Sequence, residues 1–167
     1  MKWLWLSALG LGGCYQSIGA GYVHRFAEHG GDGAEGYWQF TLGEDLHEDV
    51  IPGFLKTTVA GGKWGVRGAA VAGVAPSVDM SDGWSFFGRP GLAYLVVGHE
   101  TPRGKDGTWV GVGLETDLGW RARVGESNAI EFGLRGGADL SYTGNGSGAF
   151  AGAFLGFGWG ADFERIF

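Results

Sequence analysis

The sequence predicts an all-β fold, an eight-stranded antiparallel up-and-down barrel, and three observations lead to that prediction. Glycine accounts for 36 of the 167 residues, about three times the average usage of roughly 7%. Aromatic residues make up 14% of the chain and charged residues only 18%. Long segments alternate apolar and polar residues with period two, as β-strands do. Interior glycines disfavour helices, and the aromatic content is atypical of a disordered chain.

Three long alternating segments are the clearest strands, at residues 108–124, 129–142 and 149–163. In the first of them, apolar residues such as Leu114 and Leu118 alternate with glycines and with the acidic residues Glu115 and Asp117. Shorter strands are predicted earlier in the chain, at residues 17–26, 36–43, 54–60, 64–74 and 84–100. The inward face of the segment 84–100 stays undetermined, because residues 92–97 are apolar on both faces and Pro90 indicates an irregular start.

The predicted connections differ in character at the two ends of the strands. Residues 28–35, 61–63, 101–107 and 143–148 are polar and glycine-rich, which is typical of exposed loops. Residues 46–53, 76–83 and 125–128 join the strands at the other end. Such alternating hairpin connections are what a meander of antiparallel strands requires.

Period-two alternation fits two barrels that differ in which face points outward. A soluble barrel buries its apolar face, whereas a transmembrane barrel turns it toward lipid and keeps polar and small residues inside. Here the polar faces carry mainly glycine and nearly balanced charges, which suits a closed interior where charges must pair. We therefore predict a transmembrane barrel with a charge network in its lumen, comprising Arg67, Glu115, Asp117, Arg121, Arg123, Glu131, Arg135 and Asp139.

The N-terminus predicts export. Met1 and Lys2 precede a short apolar stretch that is too brief to span a bilayer. The run Leu11-Gly12-Gly13-Cys14 resembles the bacterial lipobox. That resemblance implies a signal peptide over residues 1–13, lipidation of the Cys14 thiol, and a barrel domain over residues 14–167. An ordinary signal peptide cleaved after Ala20 stays open as the alternative.

The C-terminus carries a second resemblance. The chain ends Phe163-Glu-Arg-Ile-Phe167, and a terminal phenylalanine that closes an alternating strand resembles the assembly signal of bacterial outer-membrane barrels. Together with the predicted strands, this resembles the outer-membrane protein A-like superfamily of small eight-stranded barrels. The resemblance implies localisation in the bacterial outer membrane, with membrane lipid and the barrel-assembly machinery as partners and Phe167 as the assembly signal.

The residues that carry catalysis or metal binding elsewhere do not form a recognisable site in this sequence. The four histidines are scattered, and a single cysteine provides no disulfide and no cysteine-based zinc site. The net charge of −6 disfavours a nucleic-acid partner. We accordingly predict no catalytic residues, no metal and no cofactor.

The predicted function is that of a non-enzymatic outer-membrane barrel lipoprotein, with a structural, scaffold or loop-mediated binding role toward an envelope protein. Two alternatives stay open at this point. One is a small barrel enzyme or narrow pore acting on lipids or small solutes. The other is a soluble periplasmic lipoprotein with a lipocalin-like barrel, in which the polar face is simply solvated.

Overall fold

The computed structural model describes residues 14–27, 33–45, 52–62, 65–81, 83–100, 107–143 and 147–160. Within these ranges the chain forms nine antiparallel strands: β1 (Cys14–Ala27), β2 (Gly33–Asp45), β3 (Gly53–Gly62), β4 (Gly65–Val74), β5 (Ser77–Ser81), β6 (Trp84–Glu100), β7 (Gly107–Arg123), β8 (Asn128–Ser141) and β9 (Gly148–Trp159). No helix in the described ranges is long and apolar enough to cross a membrane.

The strands close into a barrel. Each long strand pairs with its neighbours in the chain, β1 pairs with β9, and β4 pairs with β6 across the short β5. Since β4 and β5 both pair with β6 in succession, they act as one interrupted strand. The barrel therefore has eight strand positions, and the predicted eight-stranded antiparallel fold is confirmed.

The register of the strands sets the width of the barrel. Following register partners once around the barrel leads from Ser17 to Ala27, about ten residues further along β1, and a stagger of this size tilts eight strands by roughly 40°. An eight-stranded barrel has an interior just wide enough for side chains to fill. The lumen is thus a core and not an open channel.

The two ends of the barrel are named here by their connections. At the loop end lie the predicted glycine-rich loops, between β1 and β2, β3 and β4, β6 and β7, and β8 and β9. At the turn end lie the β2–β3, β5–β6 and β7–β8 connections, together with the start of β1. Gly125 in the β7–β8 turn has φ of +90°, a conformation that favours glycine.

The predicted connection at residues 76–83 is wrong in part, because it contains β5. Pro76 has no N–H to donate and interrupts the strand that β4 begins. The chain then resumes pairing with the long β6, where Val78 lies opposite Phe86. Because β6 extends past the position of Pro76, β5 can pair with it where β4 has ended.

Pro90 does not mark an irregular start to β6, since that strand runs unbroken from Trp84 to Glu100. Two residues earlier, the N–H of Gly88 donates to the carbonyl of Pro76, at 2.9 Å. Backbone nitrogens two residues apart in a strand point to the same side, so the nitrogen of Pro90 also faces β4 and β5. It lies opposite the break between those two strands, where no N–H donor is required.

A bulge explains why the inward face of β6 is ambiguous in the sequence. The pairing of β6 with β7 shifts register between Ala93 and Val96. Both of these residues are fully buried, whereas Tyr94 and Leu95 between them are both exposed. Two adjacent outward residues break the alternation that period-two analysis requires.

Several predicted features lie outside the described residues. These are the signal peptide at residues 1–13, most of the loop residues, Trp64, and the C-terminal segment with Phe163 and Phe167.

Candidate functional site

The outer wall of the barrel is apolar. On β7, Leu114 and Leu118 are 64% and 47% exposed, and on β8, Leu134 and Leu140 are 66% and 65% exposed. The outward face of the barrel as a whole exposes further aromatic and branched residues: Ile18, Tyr22, Phe26, Trp38, Leu55, Val59, Val66, Val74, Leu92, Val97, Val110, Ile130 and Leu155. Together they make a belt of exposed apolar side chains around the barrel.

The inner faces of the same strands carry the charges. Eleven charged side chains are buried in the described lumen: Arg25, Glu35, Lys56, Arg67, Arg89, Glu115, Asp117, Arg121, Glu131, Arg135 and Asp139. Burial of a charge is costly unless it is paired, and here the buried cations lie within salt-bridge distance of carboxylates on β7 and β8. The fold is inverted relative to a soluble barrel, with charges inside and apolar residues outside.

At the loop end, Asp139 binds two arginines. It accepts hydrogen bonds from Nη2 of Arg25 at 2.6 Å and from Nε and Nη2 of Arg67, both at 2.7 Å. Arg25, on β1, and Arg67, on β4, come from well-separated strands, so Asp139 on β8 ties together three parts of the wall.

In the middle of the lumen, Glu115 forms salt bridges with three cations. Arg67 Nη2 lies 2.8 Å from one oxygen, Arg135 Nη2 lies 2.7 Å from the other, and Lys56 Nζ lies 3.4 Å from that second oxygen. Lys56 also donates to Asp117, at 3.0 Å. The guanidinium of Arg67 thereby joins the Asp139 cluster to the Glu115 cluster.

Near the turn end, Glu131 pairs with Arg89 and Arg121. Arg89 donates through both terminal nitrogens, at 2.9 and 2.5 Å. Arg121 donates to Oε1 through Nε at 3.0 Å and through Nη2 at 2.9 Å. Arg89 thus places one nitrogen on each carboxylate oxygen, the bidentate geometry that makes an arginine–carboxylate pair strong.

Arg123 differs from the other predicted network residues. It is half-buried at the end of β7 and donates from Nε to the carbonyl oxygen of Gly125 in the adjacent turn, at 2.9 Å. The structure brings together the other seven residues that were assigned to the lumen network, in the Asp139, Glu115 and Glu131 clusters.

The faces of aromatic rings pack against the guanidinium groups in the lumen. The Arg121 guanidinium lies 4.1 Å from the ring centroid of Tyr15, that of Arg89 lies 4.2 Å from Phe87, and that of Arg135 lies 4.5 Å from Tyr37. Cation–π attraction strengthens when water is excluded. The rings thus fill the lumen and also stabilise its cations.

The lumen glycines provide room for these rings. A Cβ added at Gly98 would overlap the Trp109 ring, and one at Gly158 would overlap Tyr15. At Gly119 and Gly133, which are register partners, an added Cβ would meet the backbone of the opposite strand. The glycine excess therefore follows from a narrow lumen that is lined by aromatic residues.

The predicted network leaves out four of the buried lumen charges, Arg25, Glu35, Lys56 and Arg89, and gives Gln39 no part in it. Gln39 accepts a hydrogen bond from Nη1 of Arg135, at 2.9 Å. The strand that contains Lys56, at residues 54–60, is the shortest of those predicted. Its inward residues Phe54, Lys56, Thr58 and Ala60 mix apolar and polar types, so the alternation that would have placed Lys56 inside is weak.

A small cleft lies in the lumen toward the loop end. It is partly open to solvent and is lined by Val23, Arg25, Glu35, Tyr37, Ala60, Arg67, Arg135 and Phe150. Its arginines are held by Asp139 and Glu115. In the described part of the chain, no group of three or more His, Cys, Asp or Glu side chains is placed to hold a metal ion.

Comparison with known proteins finds similarity in fold alone. No protein-family model matches the sequence, and no curated protein matches it. Among solved structures, Neisserial surface protein A is similar with a TM-score of 0.74 and 13% identity, covering 91% of this chain and 99% of that one.

Two further structures are similar over nearly the whole chain. Ail, the attachment invasion locus protein of Yersinia pestis, has a TM-score of 0.56 at 12% identity, covering 89% of this chain and 99% of its own. The N-terminal β-barrel domain of Pseudomonas aeruginosa OprF has a TM-score of 0.54 at 14% identity, covering 89% and 98%. This chain shares the eight-stranded barrel fold of these small outer-membrane proteins.

Proposed function

We propose that this chain is a non-enzymatic β-barrel of the bacterial outer membrane, with a structural, scaffold or loop-mediated binding role. The observation that carries the proposal is the inverted barrel. Its wall exposes large apolar residues on every strand while its charged side chains are buried in the lumen. Soluble monomers rarely expose apolar patches beyond a few hundred Å², so lipid is the environment that this wall fits.

The height of the apolar wall supports the proposal. On β7, the outward residues run from Trp120 at the turn end to Val110 at the loop end. Ten residues at about 3.3 Å each, tilted by roughly 40°, span about 25 Å along the barrel axis. That matches the apolar band of about 25 Å on outer-membrane barrels.

Aromatic residues border the belt at both ends. Tyr22, Phe26, Trp38 and Tyr142 are exposed toward the loop end, and Trp84, Phe86, Trp120, Phe132 and Phe157 are exposed toward the turn end. Tryptophan and tyrosine are enriched where a membrane meets water, because their rings are both apolar and polar. We name these two sets the loop-end girdle and the turn-end girdle.

The lumen chemistry favours a structural role over catalysis. Glu115, Glu131 and Asp139 each accept hydrogen bonds from at least two nitrogens of buried cations. Both oxygens of each carboxylate are engaged in these contacts, so the three groups join strands across the lumen. A binding role therefore falls to the glycine-rich loops, with an envelope protein as the partner class.

We further propose that Cys14 is lipidated. It is the first residue of β1 and lies opposite Asp45 at the turn end. Cleavage before Cys14 would leave all of β1 in the mature chain, whereas cleavage after Ala20 would remove half of the register partners that β1 offers to β2 and β9. Metabolic labelling with an alkyne fatty acid is expected to mark the wild type and not Cys14→Ala.

Membrane fractionation of the Cys14→Ala variant tests the barrel proposal. If the wall contacts lipid, the variant remains with outer membranes after a carbonate wash, because the belt holds it without an acyl anchor. Release of Cys14→Ala into the soluble periplasmic fraction would contradict the proposal. That result would instead support a lipocalin-like lipoprotein that only its acyl chains hold at the membrane.

A further inference from the structure

The buried charges of the lumen are divided unequally between two parts of the chain. Four of the five buried carboxylates in the described ranges lie on the β7–β8 hairpin: Glu115, Asp117, Glu131 and Asp139. Four of the six buried cations lie on earlier strands: Arg25 on β1, Lys56 on β3, Arg67 on β4 and Arg89 on β6. The hairpin adds Arg121 and Arg135, and the earlier strands add Glu35. The hairpin is therefore acidic on its inner face, and the earlier strands are basic.

The cations of the earlier strands bind carboxylates on strands that are not their neighbours. These contacts include Lys56–Asp117 at 3.0 Å, Arg67–Asp139 at 2.7 Å, Arg25–Asp139 at 2.6 Å and Arg89–Glu131 at 2.5 Å. Among the described strands, β7 pairs with β6 and β8, and β8 pairs with β7 and β9. Each of these contacts therefore joins the acidic hairpin to a strand beyond its immediate partner in the sheet.

The two arginines of the hairpin bind carboxylates within it. Arg121 is the register partner of Glu131 and lies 2.9 Å from it. Arg135 on β8 lies 2.7 Å from Glu115 on β7. Side chains on one face of two paired strands are within reach of each other, so these contacts form once β7 and β8 have paired. The lumen thus contains ion pairs local to the hairpin and ion pairs that join it to the earlier strands.

The second kind of ion pair depends on closure of the sheet. Neighbouring strands lie about 4.8 Å apart, so β3 and β7, three positions apart, are separated by roughly 14 Å in an open sheet. Arg25 and Asp139 lie near opposite edges of the sheet until β1 pairs with β9. Burial of the apolar wall in lipid is non-directional and does not select which strands meet. Attraction between opposite charges does act between particular strands, and it extends over about 10 Å at 0.1 M salt.

We infer that charge attraction across the lumen draws the acidic β7–β8 hairpin toward the basic strands β1, β3 and β4, and that this attraction speeds closure of the barrel. The inference rests on the proposed membrane location, because charges attract more strongly where lipid excludes water from around the sheet. It gives the lumen charges a role in assembly besides their role in the finished barrel.

Folding rates in phosphatidylcholine vesicles at two salt concentrations test this inference. The lipid has no net charge, so salt screens the charges of the protein. Closed barrels are counted over time as the fast-migrating band in unheated SDS gels. The concentrations are about 0.1 M and about 1 M NaCl, at which the Debye length is about 10 Å and about 3 Å.

Arg67→Met and Arg135→Met are matched variants. Each removes one arginine from Glu115, at 2.8 Å for Arg67 and 2.7 Å for Arg135. They differ in the part of the chain that loses the charge, since Arg67 belongs to the basic strands and Arg135 to the acidic hairpin.

We expect the wild type to close several-fold more slowly at the higher salt concentration. Arg67→Met should close more slowly than the wild type at low salt and respond less to salt, because its basic strands have lost a charge. Arg135→Met should respond more to salt than the wild type, because its hairpin is more acidic. Loss of a buried ion pair alone would change both variants in the same direction.

A wild-type rate that is equal at both salt concentrations would overturn the inference and leave the membrane location standing. A salt response that changes in the same direction in both variants would do so too. Arg67→Lys keeps the charge and should keep the wild-type salt response, so its loss there would also count against charge attraction. Closure at an equal rate without vesicles would contradict the membrane location and, with it, this inference.

Discussion

Asp139 is the carboxylate whose loss should have the largest effect on stability at the loop end. It accepts three hydrogen bonds of 2.6 to 2.7 Å from Arg25 and Arg67. Replacement by asparagine leaves two buried guanidinium groups facing a neutral amide. We expect Asp139→Asn to lower the free energy of unfolding by about 3–5 kcal/mol, as breaking a buried ion pair does.

Chemical denaturation of the barrel folded in lipid vesicles measures this effect. The matched control is Glu126→Gln, which removes the same charge from an exposed turn residue and should shift the midpoint very little. Equal stability of the two variants would mean that the Asp139 carboxylate is not a buried, paired charge.

Gly98 and Trp109 test the explanation for the glycine excess. They are register partners on β6 and β7, and a Cβ at Gly98 would overlap the Trp109 ring. Gly98→Ala should lower the free energy of unfolding by about 1–3 kcal/mol, as overpacking does. Gly107→Ala, where a Cβ would meet nothing within 4 Å, serves as the control and should not destabilise the barrel. A smaller loss for Gly98→Ala in a Trp109→Leu background would identify the ring as the cause.

At the scale of residues, the sequence predicts which charges share a strand face but not which charges meet. Period-two alternation places Glu115, Asp117 and Arg121 on one face of β7, because the residues between them on the other face are Thr116, Leu118 and Trp120. The pairing of Asp139 with Arg25 joins residues 114 positions apart, which depends on how the sheet closes. Lys56 was not predicted to face the lumen, because the inward residues of its strand are partly apolar and partly polar.

The outer face of β7 tests the wall at the scale of a single element. Leu114 is 64% exposed and lies midway between Val110 and Trp120 on that face. In lipid, Leu114→Arg should lower the free energy of unfolding by about 2–4 kcal/mol, the cost of a cationic side chain at the bilayer midplane.

The control for this variant is Ser127→Arg, at an exposed position in the turn between β7 and β8. It should be nearly neutral, because the same side chain there reaches water. Denaturation of both variants in vesicles measures the difference. If Leu114→Arg is as stable as Ser127→Arg, the middle of the belt faces water and the proposed orientation of the wall is wrong.

Strand elements were predictable where alternation is unbroken and less so where the backbone departs from it. The ends of β7 and β8 fall within one residue of the prediction because both strands alternate throughout. In β6, the bulge between Ala93 and Val96 places Tyr94 and Leu95 on the same side. In β5, the interruption at Pro76 resembles a turn in the sequence, and pairing with β6 is visible only in three dimensions.

At the scale of the whole molecule, the closure of the sheet and the stagger of its strands bring the inward faces of all strands together in a filled lumen. The stagger depends on the register of every strand pair, which a single sequence does not specify. The glycines in the sequence nevertheless indicate a narrow interior, since they share a strand face with the charges on β7 and β8. Rings such as Phe150 and Phe154, both buried, occupy the space that these glycines leave.

The most direct test of the central claim, that the apolar wall of this barrel faces lipid, is the mobility of the membrane-folded chain in SDS gels with and without heating. A barrel whose backbone hydrogen bonds are closed on themselves and whose wall already faces an apolar medium should resist SDS at room temperature. We predict a fast-migrating band without heating that converts to the mobility of the unfolded chain after boiling. A single band at the unfolded position under both conditions, from protein that is soluble without detergent, would contradict the claim.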